Sequence, residues 1–599
     1  MIYHCEDHTC NYWDEGEKLP ERCPQCGRKL LRANEADMTG DDWTALGNTL
    51  WYAEASDKKR MVDCFRKAAY LGSAWGVCNL GICMEQGNGV EADPVQAFWL
   101  YQQAVEMGSL NAVCCLGVCY QYGIGTAPDA KQAAELYCKA AEYGSPRGQM
   151  LLARAFHDGI GVEADAAEAV HWVRAAAYQR YGEGMHRLGV CYEYGDGVEQ
   201  NWERAVHWFR EAAESGVGVA MTDLGYCYEK GCGVEQSWEQ AFSWYRRGAE
   251  CGYPVSMSNL GLCYKRGYGV EQNWQEAIKW YEQGAQCGDL QSMHNLACCY
   301  ERGEGVDQNE DRALYWYRRS AEGGNGDAMC NLGRCYERGY GVEQNWQEAV
   351  KWYEQGAQCG NLQSMHNLAC CYEHGEGVEQ NMTEAIRWYT AAAEGGNADD
   401  MYELGWQYDH GEGVEQDMKK AICWYERAAE QNHPAAMNSL GECYAMGRGV
   451  PRDLETAMEW YRRAAELGEA MADYNMGWHL EQAGKLSEAY AHYRKAADGN
   501  DDSAWWALGR FYENGVVVAQ DGKEARRCYE TGEKLGSVKC KMRLARCKLL
   551  GIGGRRAKKA GLDLCRQALE LAKESSEKED YGYEAEMNLL RRTIAENES

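Results

Sequence analysis

A two-residue signature recurs along the chain at a fixed interval, and this interval constrains the fold more than any other feature. The signature is Leu-Gly in most copies, Leu-Ala in some and Met-Gly in one. Its second residue advances by 36 residues at every step from Gly81 to Gly477, after a first step of 34 and before one step of 32. The fifteen positions are Gly47, Gly81, Gly117, Ala153, Gly189, Gly225, Gly261, Ala297, Gly333, Ala369, Gly405, Gly441, Gly477, Gly509 and Ala545. Such a period predicts an array of stacked supersecondary units.

Each period has the pattern of two helices joined by a turn. Residues 255–289 read VSMSNLGLCYKRGYGVEQNWQEAIKWYEQGAQCGD, an apolar pattern of helical period followed by Gly-x-Gly-Val, a second helical pattern and a closing Gly. Arg266 before the turn and Asn273 after it are residues favoured in the last turn of a helix and at an N-cap. Because one helix pair cannot bury its apolar face alone, the copies are expected to pack on one another.

The consensus of these units resembles a known repeat family. The order Leu-Gly-x-x-Tyr, Gly-x-Gly-Val, Ala-x-x-Trp-Tyr-x-x-Ala-Ala and Gly resembles the SEL1-like repeat, a relative of the tetratricopeptide repeat, from about Asp41 to Gly553. The resemblance implies an all-α fold, a right-handed α/α superhelical solenoid of about fifteen repeats that binds partners along its concave face. The copy from Met476 to Asp498 lacks Gly-x-Gly-Val and resembles a tetratricopeptide unit with its shorter turn.

Three segments are predicted along the chain. Residues 1–34 form a zinc-ribbon-like metal-binding module, residues 35–554 form the repeat solenoid, and residues 555–599 form C-terminal capping helices. The capping segment is expected because the last repeat of an array needs a polar outer surface.

Four cysteines in two pairs precede the first repeat. Cys5, Cys10, Cys23 and Cys26 are spaced CxxxxC and CxxC, and four thiolates in two pairs can hold a tetrahedral Zn²⁺ ion. The CPxCG sequence that begins at Cys23 resembles the second knuckle of a zinc ribbon or rubredoxin, whereas the first pair has two residues more than the family's CxxC. His8 is therefore an alternative ligand to Cys10, and iron is an alternative to zinc. With all four positions filled by protein, the predicted role of the metal is structural.

Charge and cysteine usage restrict the partners and the compartment. A formal net charge of −30 disfavours direct contact with nucleic acid or with an anionic membrane surface. Neither a signal peptide nor an apolar run of about 20 residues is present, so we expect a cytoplasmic protein. In that reducing compartment the thirty cysteines are expected to remain thiols and to pack as small apolar groups. The predicted partner is a protein or peptide.

One segment occurs twice, and its polar residues are candidates for partner binding. QSMHNLACCYE stands at 291–301 and again at 363–373, within 51-residue stretches that differ at six positions only. His294 and Cys298 occupy positions that vary between copies, and we expect them on one exposed face; as two ligands from one helix, they are too few for a metal site. Recurring asparagines resemble those that bind peptide backbone in tetratricopeptide grooves, with hydrogen bonding along the solenoid as the alternative. The predicted partner-binding residues are Asn259, His294, Asn295, Cys298, Asn331, His366, Asn367 and Cys370.

The predicted function is a non-enzymatic scaffold or adaptor with a concave, largely acidic groove that holds a segment of another protein. The Gly-x-Gly turns do not extend to a phosphate-binding loop, and neither HExxH nor GxSxG is present. No pair of a nucleophile and a base is evident from the spacing of residues. The resemblance leaves a weak hydrolase or enzyme-regulatory subunit of the cysteine-rich type as one alternative. Docking of the zinc module on a nucleic-acid machine is the other.

Overall fold

The structure is a computed structural model that describes residues 2–5, 13–15, 30–33, 37–51, 55–578 and 584–598. Within these ranges the chain forms three β-strands and 31 α-helices. The residues group into two compact units, Met1–Trp316 and Tyr317–Ser599. None of the helices in the described ranges is long and apolar enough to cross a membrane.

A small antiparallel sheet precedes the helices. Its strands are β1 (Ile2–Cys5), β2 (Trp13–Glu15) and β3 (Leu30–Ala33), in the order β2-β1-β3. Tyr3 of β1 lies opposite Asp14 on one side and opposite Arg32 on the other. Of the predicted metal ligands, Cys10, Cys23 and Cys26 lie outside the described residues, as does His8, and Cys5 is described only as the last backbone position of β1.

The helices of the first unit alternate as first and second helices of successive repeats. They are α1 (Gly40–Thr49), α2 (Ala55–Tyr70), α3 (Ala74–Gln86), α4 (Pro94–Glu106), α5 (Leu110–Tyr122), α6 (Ala130–Glu142), α7 (Pro146–Asp158), α8 (Ala166–Tyr178), α9 (Gly182–Tyr194), α10 (Trp202–Glu214), α11 (Gly218–Lys230), α12 (Trp238–Glu250), α13 (Pro254–Arg266), α14 (Trp274–Gln286) and α15 (Leu290–Arg302). Helix α16 (Glu310–Glu322) contains the boundary between the two units.

The second unit continues the same alternation. Its helices are α17 (Gly326–Arg338), α18 (Trp346–Gln358), α19 (Leu362–His374), α20 (Met382–Glu394), α21 (Ala398–His410), α22 (Met418–Glu430), α23 (Pro434–Met446), α24 (Leu454–Glu466), α25 (Ala470–Gln482), α26 (Leu486–Asp498), α27 (Asp502–Asn514), α28 (Gly522–Lys534), α29 (Val538–Leu550), α30 (Lys558–Lys578) and α31 (Glu584–Glu598). Every signature position lies in an odd-numbered helix from α1 to α29, as the predicted helix pairs require. Only three residues join α25 to α26, which agrees with the shorter turn predicted there.

The turns and caps follow from the residues at the helix ends. Gly267 ends α13 in the left-handed conformation, with a φ of +75°, and its N–H donates to the carbonyl of Cys263. Two residues on, a Cβ at Gly269 would collide with the carbonyl oxygen of Trp238 in the preceding repeat, so this turn position requires glycine. The Asn273 side chain then accepts a hydrogen bond of 3.1 Å from the N–H of Glu276 and caps α14, as predicted.

The signature itself is the contact between the two helices of a repeat. Leu260 is fully buried, and a Cβ at Gly261 would lie only 2.5 Å from Cε1 of Tyr281 in the second helix. The tyrosine ring is fully buried as well. The small residue therefore lets the first helix approach an aromatic ring of the second, and the preceding leucine fills the core beside it.

Each of these buried tyrosines needs an acceptor for its hydroxyl, and most repeats supply a carboxylate from the first helix. The Tyr353 hydroxyl donates to Glu337 at 2.5 Å, and the Tyr389 hydroxyl donates to Glu373 at 2.6 Å. In the near-identical earlier copy the acceptor position is Lys265, and the buried hydroxyl of Tyr281 has no hydrogen-bond partner among the described residues. The duplication thus provides the same tyrosine with and without its acceptor.

The two tyrosines, Tyr281 and Tyr353, are expected to respond differently to substitution by phenylalanine. Tyr353→Phe is expected to lower the local free energy of unfolding by about 1 kcal/mol, because Glu337 loses its donor. Tyr281→Phe removes an unpartnered hydroxyl and is expected to leave stability unchanged or slightly raised. Hydrogen exchange of α17 and α18, compared with that of α13 and α14, measures both effects. Equal losses in the two variants would contradict the proposed role of the carboxylate.

The recurrent cysteine two places after the signature is a core residue. It is buried in all ten copies that carry it, and the twenty-six cysteines from Cys64 to Cys565 are all free thiols. Burial raises the pKa of Cys263 to about 12, so this thiol packs as a neutral group, as predicted. In α21 the position is Gln407, which is 1% exposed, and neither its Nε2 nor its Oε1 has a partner within the described residues.

Removal of these two unpartnered polar atoms is expected to stabilise the second unit. Gln407→Met retains the side-chain volume and is expected to raise the free energy of unfolding around α21 by about 1–3 kcal/mol. Gln416→Met serves as the control, because the Gln416 amide donates to the carbonyl of Asp409 at 2.6 Å and its loss brings no gain. Hydrogen exchange of α21 and α22 provides the comparison. A loss of stability in Gln407→Met would show that the Gln407 amide forms a stabilising hydrogen bond and would contradict this account.

The last helix covers the end of the array. Helix α29 packs on α30, and α31 contributes Met587 and Leu590 to the same buried cluster as Met542 of α29. Arg543 of α29 donates to Glu586 of α31 at 2.7 Å, and both side chains are largely buried. The segment predicted to cap the array, residues 555–599, therefore contains the second helix of the fifteenth pair and one additional helix.

Candidate functional site

Neighbouring first helices lie side by side within each unit. In the first unit α13 contacts α11 and α15, and in the second unit α17 contacts α19. We use the name first-helix face for the side of the odd-numbered helices that carries the predicted partner-binding residues. It includes the side chains one or two turns from those residues along the same helix. These side chains differ from one repeat to the next, whereas the side chains in the core are the same in most repeats.

The predicted asparagines connect successive first helices. Asn295 donates to the Ser258 hydroxyl at 3.5 Å, and Asn367 donates to the Cys330 sulfur at 3.5 Å. Each accepts a hydrogen bond from the glutamine one turn earlier in its own helix. Asn331 accepts from Arg334 at 3.2 Å, and Asn259 is half-buried on α13. Hydrogen bonding along the solenoid, the alternative interpretation of these residues, thus accounts for Asn295 and Asn367, and their binding of a partner stays a prediction.

The duplicated histidine and cysteine are closer to the core than expected. In both copies the cysteine Sγ lies 3.6 Å from Nε2 of the histidine four residues earlier. The prediction of an exposed face was wrong for Cys298, which is only 8% exposed, while His294, His366 and Cys370 are half-buried. The four-residue spacing does place each pair on one side of its helix, but neighbouring helices partly cover that side.

In the second unit, the next first helix adds a carboxylate to this pair. His366 Nδ1 lies 2.7 Å from Oδ1 of Asp400, which is fully buried on α21. Since an ionised carboxylate can only accept, Nδ1 carries the donated proton and Nε2 faces the sulfur of Cys370. The Tyr389 hydroxyl of α20 lies 3.4 Å from that sulfur and donates to Glu373. We call these five residues the His366 cluster.

No pair of a nucleophile and a base was found in the sequence, yet the structure places a thiol, an imidazole and a carboxylate side by side in the His366 cluster. The spacing of four residues placed Cys370 beside His366, but nothing in that segment marked Asp400, which stands 34 residues later in the next repeat. A comparison of the two copies, which lie 72 residues apart, could have drawn attention to Asp400, because the corresponding residue in the earlier copy is Ala328. The two copies of the histidine and cysteine therefore differ in the residue that follows in the next first helix.

The electrostatics of the cluster favour a protonated histidine. The hydrogen bond to Asp400, followed by the contact with Cys370, raises the pKa of His366 to about 10. Burial raises the pKa of Asp400, and the hydrogen bond from His366 counteracts this rise. Burial also raises the pKa of the neighbouring Glu403, with Glu373 as a further cause. The cluster is thus one imidazolium in an acidic part of the first-helix face.

A second candidate site is a cavity of about 300 Å³ in the first unit, which the sequence did not reveal. Its floor is apolar, formed by Ala153, Val170 and Val173 of α7 and α8. Charges of both signs stand around it on α7, α9 and the following turn: Arg154, His157, Asp158, Glu183, Arg187 and Asp196. Asp196 lies 3.3 Å from His157 and 3.6 Å from Arg187. An apolar floor with oppositely charged groups suits one side chain and the flanking backbone of a peptide.

No group of three or more histidine, cysteine or acidic side chains that could hold a metal ion occurs in the part of the chain that the structure describes. The predicted zinc ligands Cys10, Cys23 and Cys26 do not fall in that part.

Comparison with protein families identifies the repeat. The Sel1 repeat model matches thirteen segments: residues 76–109, 112–145, 146–181, 182–217, 218–253, 254–289, 290–325, 326–361, 362–397, 398–433, 434–469, 470–501 and 504–537. The predicted number of about fifteen includes the terminal helix pairs α1–α2 and α29–α30, which that model leaves unmatched. No curated protein matches the sequence significantly.

Many solved structures are similar to the chain, among them two that are at least 32% identical to it. One is c5321, a protective antigen of uropathogenic Escherichia coli strains with an SLR fold, 32% identical over 75% of this chain and 97% of that chain, with a TM-score of 0.48. The other is a Sel1 repeat protein from Oxalobacter formigenes, 33% identical over 41% of this chain and 96% of that chain, with a TM-score of 0.38.

Proposed function

The chain belongs to the Sel1 repeat family, and on that premise we propose that it is a non-enzymatic scaffold or adaptor. Its first-helix face, which corresponds to the groove predicted from the resemblance, would hold an extended or helical segment of another protein. An all-α Sel1 repeat solenoid fits protein–protein interaction, because stacked helix pairs provide a long surface without a deep active site.

One observation carries this proposal: the residues that pack are constant, while those of the first-helix face vary. Leu332, Leu368, Leu404 and Leu440 recur and are buried, each followed by Gly or Ala. At the position of Cys370, however, successive first helices of the second unit carry Arg334, Cys370, Trp406, Glu442 and Trp478, and none of these five side chains is buried. A surface that varies over an invariant core is what recognition of an irregular partner requires.

The charge of the face supports a basic or neutral partner segment. Asp399 and Glu403 lie on α21 near the His366 cluster, and Glu442 lies on the next first helix, α23. The cavity of the first unit, with its apolar floor and mixed charges, would receive one anchoring side chain of the segment. Exposed aromatic rings such as Tyr194 and Tyr226, which are 73% and 44% exposed, would add contacts beside it.

A photo-crosslinking experiment tests the proposal. A benzophenone amino acid placed at Tyr226 on α11 is expected to capture a protein partner in cells. The matched control is the same group at Trp99 on α4, a second helix, where the native side chain is 63% exposed. Equal capture of the same proteins from both positions would contradict a specific first-helix face, and so would capture from Trp99 alone.

We also propose that residues 1–34 form a structural zinc module that docks on protein or covers the first repeat. The paired spacing of Cys5, Cys10, Cys23 and Cys26 supports it, as do the three strands that flank these pairs in the chain. Metal analysis of the purified protein is expected to find about one equivalent of zinc. Less than about half an equivalent of zinc and iron combined would refute the module.

A reducing, cytoplasmic compartment is the third part of the proposal. Its support is the set of buried free thiols at the recurrent cysteine position, none of which is paired in the described part of the chain. Alkylation of the denatured protein, taken from cells without a reductant, is expected to modify all of its cysteines. Thiols protected by disulfides in that experiment would place the protein in an oxidising compartment.

A further inference from the structure

Cys370 of α19 stands at one end of a line formed by a thiol, an imidazole and a buried carboxylate. Its Sγ lies 3.6 Å from His366 Nε2, and His366 Nδ1 lies 2.7 Å from Asp400 Oδ1. A nucleophile, a base and a group that orients the base, in this order, is the arrangement by which proteins activate thiols. One helix turn fixes the first two groups, and the next first helix supplies the third.

His366 is the group that pairs with the buried carboxylate of Asp400. Asp400 is fully buried, and its second oxygen, Oδ2, has no hydrogen-bond partner among the described residues. The hydrogen bond to Asp400 raises the pKa of His366 to about 10, so the ring is protonated at neutral pH. The cationic ring lies 3.6 Å from the Cys370 sulfur, and a positive charge beside the sulfur is the setting in which proteins activate thiols.

Two other cysteines of the chain have different surroundings. Cys371 is only 2% exposed, and burial raises its pKa to about 12, so it remains a neutral thiol in the core. Cys298 has His294 at the same 3.6 Å, but the residue that corresponds to Asp400 in that copy is Ala328. Cys370 is also half-buried, whereas Cys298 is buried.

We propose that Cys370 is a nucleophilic thiol that accepts an acyl group from a thioester or an activated ester. This role does not depend on which partner the first-helix face binds. The thiolate sulfur attacks the carbonyl carbon and forms a sulfur–carbon bond, and the bond from that carbon to the leaving oxygen or sulfur breaks. The leaving group takes the proton from His366 Nε2. The products are S-acyl Cys370, a neutral His366 and a free alcohol or thiol, so the step needs no oxidant or reductant.

The charge around the cluster limits the acyl donor. Glu403 lies beside an imidazolium that is already paired with Asp400, and Glu373 and Asp399 add negative charge near Glu403. A donor with several negative charges is repelled there, so neutral or cationic acyl donors are the expected class. The reaction as written modifies the protein once and does not turn over, which agrees with a scaffold that is not an enzyme.

Acetylation of the full-length protein by p-nitrophenyl acetate tests the proposal. Peptide mass spectrometry at several times compares Cys370 with Cys423, an exposed thiol on α22 of the same unit. Cys370 is expected to be acetylated about tenfold or more faster than Cys423, although it is less accessible. Asp400→Asn is expected to slow Cys370 by about tenfold or more and to leave Cys423 unchanged in the same sample.

A second arm uses only the unmodified chain and does not depend on the folding of a variant. As the pH rises through about 10, the rate at Cys370 is expected to fall, because His366 loses its proton there, while an ordinary exposed thiol with a pKa of about 8.5 gains rate up to that pH. The ionisable groups beside His366 are Cys370, Asp400, Tyr389 and Glu403, and Glu373 and Asp399 lie near Glu403 in turn. A Cys370 rate no higher than that of Cys423, or one that rises with pH in parallel with it, would overturn the proposal.

Discussion

Leu260→Ala is expected to lower the free energy of unfolding of its repeat by about 2–5 kcal/mol. Leu260 is fully buried in the cluster that contains Tyr245 and Cys263, so truncation leaves a cavity between α13 and the second helices on either side. In a linear array a repeat is stabilised by its neighbours, and the loss is expected to spread to the adjacent repeats. Hydrogen exchange of α13 and α14 measures it directly.

Leu262, two residues later on the same helix, is the matched control. It is 37% exposed on the first-helix face, and Leu262→Ala is expected to change stability by less than about 0.5 kcal/mol. A similar loss for the two leucines would contradict the division of α13 into a packing side and a partner side.

Arg543→Met is expected to release the last helix. Arg543 pairs with Glu586 of α31 at 2.7 Å and with Glu513 of α27 at 3.3 Å, and the three side chains are 8–13% exposed. Removing the cation leaves Glu586 buried without its partner, which costs about 3–5 kcal/mol. Because this ion pair ties α31 to α29, the amides of α31 are expected to exchange with solvent much faster than those of α29, which hydrogen exchange resolves.

Arg527→Met is the control for this change. Arg527 forms an ion pair of 3.8 Å with Glu524 within α28, and its side chain is 78% exposed, so its loss is expected to cost less than about 1 kcal/mol. If α31 keeps its protection in Arg543→Met, the buried ion pairs do not hold the end of the array.

The helix pairs could be predicted because each depends on contacts that repeat at a fixed interval. Gly261 is small because the ring of Tyr281 touches it, and Asn273 recurs because α14 needs an N-cap. Both residues of each of these contacts lie within one repeat, so the sequence of that repeat is enough to predict the contact. Lys265 shows the limit, since only the structure reveals that this substitution removes the acceptor of Tyr281.

The candidate sites were harder to predict because they lie between repeats. Asp400 reaches His366 across two neighbouring first helices, and the cavity of the first unit is formed by parts of α7, α8 and α9. Neither has a short motif. The burial of Cys298 was missed for a related reason, since a helical wheel places it beside His294 but does not show the helices that cover it.

Hydroxyl-radical footprinting of the chain with its captured partner tests the central claim most directly. Tyr194 and Tyr226 lie on first helices, whereas Tyr143 and Tyr178 lie at the ends of second helices and are 68% and 69% exposed. Binding along the first-helix face predicts that oxidation of Tyr194 and Tyr226 falls while that of Tyr143 and Tyr178 stays the same. Protection of Tyr143 and Tyr178 with Tyr194 and Tyr226 unchanged would place the partner on the second helices and contradict the account.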